Sequence, residues 1–160
     1  MSEAPTFLVI WHSRTGASKA MAEAVAEAGG ARLVRASDVT ADMLLSASGY
    51  VFICPENLGA LSGEMKEMFD RTYYQALEKI EGRPFVSIIA AGSDGEGAQR
   101  QLERIVTGWR LKRVMPRKIV NFSAQRAKDI LAEKTVEQGV LQECREIGIG
   151  LSEGISLGVF

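Results

Sequence analysis

Phe7-Leu-Val-Ile-Trp11, followed by His12-Ser-Arg-Thr-Gly-Ala-Ser18 and a helix-forming run over Ala17 to Ala28, decides how the rest of the chain is read. The first five residues are apolar without polar alternation, the pattern of a strand buried on both faces of a parallel sheet. Met21, Val25 and Ala28 fall on one face of the run that follows, and Gly29-Gly30 ends it. Strand, loop and helix in that order form one β-loop-α unit.

The alternation repeats towards the C-terminus. Ala31 to Arg35 reads as a second strand, Ala41 to Ser46 as a short helix and Tyr50 to Cys54 as a third strand, with Gly49 marking the turn into it. A helix is expected from about Ser62 to Leu77, a strand from Pro84 to Ala91 and a helix from about Gly97 to Thr107. A fifth strand is expected within Leu111 to Phe122, and a last helix from about Ala127 to Ile147. Strands separated by helical crossovers cannot pair as hairpins. The right-handed crossover rule then leaves an α/β, doubly wound five-stranded parallel sheet with helices on both faces, for which we take the order 2-1-3-4-5. The tail Gly148 to Phe160, with four glycines, is either loosely ordered or folded back on the body.

With 160 residues, of which 46% are hydrophobic and 24% charged, the chain reads as one ordinary globular domain, residues 1–160, burying about 70% of its unfolded surface. Met1 to Thr6 lacks a basic leader, and the apolar run after it is too short for a signal peptide or a membrane span, so the cytoplasm is the expected location. Cys54 and Cys144 share no ligand-like spacing and are expected as reduced thiols. The net charge of -1 speaks against a nucleic-acid partner. Arg104, Arg110, Lys112, Arg113, Arg117 and Lys118 form a local cationic stretch, either a solvated rim or a surface for an anion.

In an open parallel sheet of this order, ligands bind beyond the carboxyl ends of the strands near the reversal between strands one and three. Three segments converge there: Ser13 to Ser18, Pro55 to Gly63 and Gly92 to Gly97. The first is rich in hydroxyls and opens into a helix, so backbone N–H groups and the Ser13, Thr15 and Ser18 hydroxyls can surround a phosphate at the positive helix end. It is neither the dinucleotide GxGxxG fingerprint nor the nucleotide P-loop, and a plain strand-to-helix turn with a serine cap is the alternative.

Trp11-His-Ser-Arg-Thr-Gly-Ala-Ser18 resembles the FMN phosphate loop of the flavodoxin-like superfamily, whose pattern is Ser/Thr-x-Thr-Gly-x-Ser/Thr. Pro55-Glu-Asn-Leu-Gly59 with Ser62 to Arg71, and Ala91-Gly-Ser-Asp-Gly95, resemble the second and third flavin loops of its FMN-dependent NAD(P)H oxidoreductase branch. The similarity spans roughly Phe7 to Val114. It implies a flavodoxin-like fold, FMN as cofactor and NADPH or NADH as electron donor. The implied cofactor-binding residues are Ser13, Arg14, Thr15, Gly16, Ala17 and Ser18 at the 5'-phosphate. Pro55, Glu56, Asn57, Leu58 and Gly59, with Ala91, Gly92, Ser93, Asp94, Gly95 and Gly97, are implied at the isoalloxazine ring. Most of these contacts would come from the backbone, and the Asn57 amide can add one of its own.

Electron-carrier flavodoxins commonly sandwich the ring between aromatic side chains, whereas these ring-side loops contain none, and Leu58 is the nearest apolar candidate. An open ring face suits a stacking substrate such as a nicotinamide or a quinone. The expectation is therefore an enzyme passing a hydride from NAD(P)H via flavin to a small acceptor, with no catalytic side chain and no metal. The alternatives are a flavodoxin-type electron carrier with a redox protein partner, a flavin-binding module without turnover and a cofactor-free signalling domain. The last is opposed by Trp11-His12-Ser13 at the strand end, where receiver domains carry acids. A homodimer is implied by the resemblance alone.

His12, the only histidine, orders the loop, touches the flavin edge or phosphate, or binds a metal for which no partners are evident. Arg14 either neutralises the phosphate or points to solvent. Cys54 reads as a small apolar filler. Glu64, Lys66, Glu67, Asp70 and Arg71 read as a solvated helix face, and Tyr73 and Tyr74 as core or a subunit contact.

Overall fold

The computed structural model describes residues 6–160, and the reading of Met1 to Pro5 lies outside the described residues. In chain order the elements are β1 (Phe7–Trp11), α1 (Ala17–Gly29), β2 (Arg32–Arg35), α2 (Ala41–Ser46), β3 (Gly49–Asn57), β4 (Ala60–Leu61), α3 (Gly63–Ala76), β5 (Pro84–Ala91), α4 (Glu96–Gly108), β6 (Lys112–Arg113), β7 (Lys118–Asn121), α5 (Ala127–Leu131) and α6 (Gln138–Leu157). The parallel sheet runs β2-β1-β3-β5, with β6 and β7 both beside β5. That is the expected order, with the fifth strand in two pieces.

The split has a local cause. Arg113 pairs with Phe85 and Lys118 with Ile88, so two residues of β5 face the four residues Val114 to Arg117. Pro116 lies in that stretch and has no N–H to give the ladder. The Arg113 guanidinium bridges part of the gap, donating to the Ser87 hydroxyl (2.9 Å) and to Glu103 (2.5 Å).

Every central strand is covered on both sides, as its unbroken apolar sequence requires. Leu8, Ile10, Tyr50, Phe52, Cys54 and Ile89 pack with α3 and α4, whereas Phe7, Val9, Val51, Ile53, Val86 and Ile88 pack with α1 and α6. Each large side chain buried this way contributes about 1.5–3 kcal/mol. Tyr73 stacks on Trp109 with ring centroids 5.6 Å apart, and Tyr74 is exposed.

The C-terminal third differs most from expectation. The expected helix Ala127 to Ile147 is interrupted: α5 stops at Leu131, an extended strap covers Ala132 to Glu137, and α6 then continues to Leu157. Val136 is buried in the core and the Lys134 N–H donates to the Thr15 carbonyl (2.8 Å), so tertiary contacts override local helix preference. The tail is mostly helix, and its glycines explain why: Gly148 meets Gly29 of α1 so closely that a Cβ on Gly29 would lie 2.6 Å from the Gly148 carbonyl oxygen. Phe160 folds back against Gly154.

Candidate functional site

Beyond the carboxyl ends of β1, β3, β5 and β7 lies a cleft lined by Arg14, Thr15 and Ala17, by Pro55, Glu56 and Asn57, and by Ala90, Ala91 and Gly92. All three expected segments therefore meet. A fourth group, Phe122, Ala124, Ile130 and Lys134, completes the wall from the chain after β7.

The first loop turns on Gly16, whose φ of 98° is left-handed backbone suited to glycine. Its N–H donates to Ser13 Oγ (3.0 Å), which leaves the Ser13 hydroxyl proton free to donate outward. The Thr15 carbonyl is turned to Lys134. No side chain caps α1, so the first amides of that helix keep their positive end. Ser18 is buried in the first turn, and its Oγ is the one buried side-chain polar atom among the described residues without a hydrogen-bond partner. A buried unpaired hydroxyl is costly, and a bound oxyanion would satisfy it.

The segment Pro55 to Gly63, expected as a loop, is a β-hairpin. Glu56 pairs with Leu61 and Asn57 with Ala60 around Leu58 and Gly59, whose φ values of 53° and 76° are both left-handed. Two such residues make the tight turn that matches strand twist. Leu58 is fully exposed at the tip.

Glu56 has a structural task. Its Oε1 accepts from the Gly95 N–H (2.9 Å) and its Oε2 from the Ala98 N–H (3.0 Å), so it supplies the anion at the start of α4. Gly97 abuts the Gly59 carbonyl, where a Cβ has no room. Gly92 lies beneath the Ala124 carbonyl, Asn121 holds the Ser93 carbonyl (2.6 Å), and Ser93 and Asp94 are exposed. Of the expected residues, Ser13, Gly16 and Ser18 as well as Leu58, Gly59, Ser93, Asp94, Gly95 and Gly97 do not line the cleft.

His12 follows β1 directly, its Nδ1 2.9 Å from the Ser62 hydroxyl. Burial lowers its pKa below the ordinary 6.5; Glu64 opposes that shift, and Arg35 and Arg14 add to it. Arg35 grips Glu64 through two hydrogen bonds (3.0 and 3.1 Å) and lies over the Trp11 ring. That bond holds the Glu64 carboxyl below its usual range. Burial pushes the Cys54 thiol up to about 12, leaving it inert. In the cationic stretch Arg110, Arg113, Arg117 and Lys118 each face a glutamate, so four of its six cations form a paired rim. Among the described residues no group of three His, Cys, Asp or Glu side chains could hold a metal, and no helix is long and apolar enough to cross a membrane.

The family described as NADPH-dependent FMN reductase matches residues 34–127, more than half of the chain. The chain belongs to the NADPH-dependent FMN reductase family. The match covers the hairpin and the third loop and begins after Ser13 to Ser18, so the phosphate-loop reading stands on its own residues. A flavodoxin of Aquifex aeolicus is 33% identical over 108 residues, 62% of this chain, and the aligned part spans 57% of that relative's length. A flavodoxin from the domain Archaea superposes with a TM-score of 0.76 at 19% identity, over 94% of this chain and 98% of that one. A WrbA-like protein from Agrobacterium tumefaciens gives 0.69 at 18% identity, over 96% and 98%. At such identity the two structures establish the flavodoxin-like fold that this reductase-family member shares.

The sequence reading missed Phe122, Ala124, Ile130 and Lys134. The strand-end rule was applied at the reversal between strands one and three, and no residue type after strand five marks a ligand.

Proposed function

We propose that the chain binds FMN non-covalently and is an oxidoreductase that takes a hydride from NADPH or NADH and passes electrons to a small acceptor such as a quinone. The observation that carries the reading is the uncapped start of α1 with the buried, unpartnered Ser18 hydroxyl inside it. Ser13, Thr15, Ser18 and the amides of Ala17 and Ser18 would hold the 5'-phosphate, with Gly16 shaping the turn and Arg14 at its exposed side. Pro55 to Gly59 and Ala91 to Gly97 would flank the ring. Bound FMN would supply hydride and electron chemistry that no side chain here provides. The protein's share is placement: Glu56 locks the hairpin to α4, and Asn121 locks the third loop to β7, so the ring-side backbone is rigid before any ligand arrives.

The likeness to the Aquifex aeolicus flavodoxin favours a second reading, an electron carrier for a redox protein partner without nicotinamide turnover. Both readings take residues 1–160 as one cytoplasmic domain, alone or as a homodimer. Titration of the purified chain with FMN tests the common part. Oxidation of NADPH and NADH by the loaded protein, with several acceptors, separates the two: absence of turnover with both nucleotides refutes the reductase.

A further inference from the structure

Ser13 to Ser18 contains one cation, Arg14, whose side chain is exposed, whereas a phosphate monoester carries nearly two negative charges at neutral pH. A second cation stands in the cleft wall. Lys134 belongs to the strap between α5 and α6, and its backbone clasps the phosphate loop through the Thr15 carbonyl. Its ammonium donates to the carbonyls of Asp129 (2.6 Å), Ile130 (3.1 Å) and Ala132 (2.6 Å). Those bonds fix the position of the charge without neutralising it. The ion pairs among the described residues include neither Lys134 nor Arg14.

We propose that Lys134 is a specificity-determining residue that selects the phosphorylated flavin over the unphosphorylated one, acting as the fixed charge partner of the phosphate at Ser13 to Ser18. The proposal rests on the FMN reading. The strap holds Lys134 in place from both sides, through Val136 in the core and through the Thr15 contact. A lysine tied down in this way loses little further rotamer freedom when the anion arrives. Its attraction operates at the cleft wall, where it is screened less than on an open surface.

Dissociation constants for FMN and for riboflavin, read by flavin fluorescence in the full chain and in Lys134→Gln, test it. Lys134→Gln is expected to weaken FMN by about tenfold, as for loss of one nearby charge whose three N–H groups already serve carbonyls, and to leave riboflavin unchanged. Lys134→Arg, which keeps the charge, is expected to restore most of the FMN affinity. Equal losses for FMN and riboflavin would make Lys134 only a cap for α5 and overturn the proposal, as would unchanged FMN affinity. Wild-type protein that binds neither flavin refutes the FMN reading itself, a result distinct from these. On the unaltered chain, FMN is expected to protect Lys134 from amine acetylation and riboflavin is not, and equal labelling with both also refutes the role.

Discussion

Replacing Ser18 by alanine is expected to move folding and ligand binding in opposite directions. In the flavin-free protein the Ser18 hydroxyl is buried without a partner, an arrangement that costs roughly 1–3 kcal/mol. Alanine removes the hydroxyl and leaves the small side-chain volume almost unchanged, so the flavin-free Ser18→Ala protein should gain about 1 kcal/mol. For a domain of this size that raises the melting temperature by roughly 2–4 °C. With FMN bound, the same hydroxyl would donate to a charged phosphate oxygen, a bond worth about 1.5–3 kcal/mol, so affinity should fall about tenfold to a hundredfold. Scanning calorimetry of the flavin-free protein and a fluorescence titration with FMN measure the two arms. A variant that melts lower than wild type, or that binds FMN unchanged, would refute the argument, because the hydroxyl would then be serving the fold and not the ligand.

Glu56→Ala removes both acceptors from the start of α4 and should cost about 2–4 kcal/mol, seen as a melting temperature lower by roughly 5–15 °C; a shift under one degree would contradict the capping role. Gly148→Ala places a methyl against the Val25 carbonyl where α6 crosses α1 and should destabilise by about 1–3 kcal/mol in denaturant unfolding. His12 has a lowered pKa in the fold, so the unfolded chain takes up its proton first. Stability from this group is complete above the ordinary value of 6.5 and declines as pH falls through it, and His12→Phe should flatten that part of a stability-against-pH curve.

Legibility from sequence followed the range of the interactions. β1, α2 and β5 fall where local pattern puts them, because an apolar run buried on both faces needs no distant partner to be recognised. The hairpin at Leu58 and Gly59 was hidden: its first turn residue is a leucine held at positive φ by strand pairing, where asparagine or glycine would have announced the turn. The break at Ala132 to Glu137 was hidden for a similar reason, since Val136 and the Lys134 amide are fixed by the core and by Thr15, more than a hundred residues earlier. In the site, the hydroxyl loop was readable because its chemistry is contiguous. The capping role of Glu56 was hidden because a carboxylate in a ligand loop looks the same on paper whether or not it also binds the start of a neighbouring helix.

The two helices that open at the cleft treat their positive ends differently, and this difference orients the proposed cofactor. α4 carries its own anion, Glu56, bonded to the amides of Gly95 and Ala98, so a phosphate brought there would meet a carboxylate already in place. α1 has no capping side chain and an unpaired hydroxyl in its first turn, and Arg14 and Lys134 stand in the adjoining wall. A dianion is therefore repelled at one end and drawn to the other, by terms that each amount to about a kcal/mol or more. Only one direction of binding then remains for a molecule with a phosphate at one end and a neutral ring at the other. Replacing Glu56 weakens that discrimination as well as the α4 cap, so one carboxylate in the cleft wall serves both.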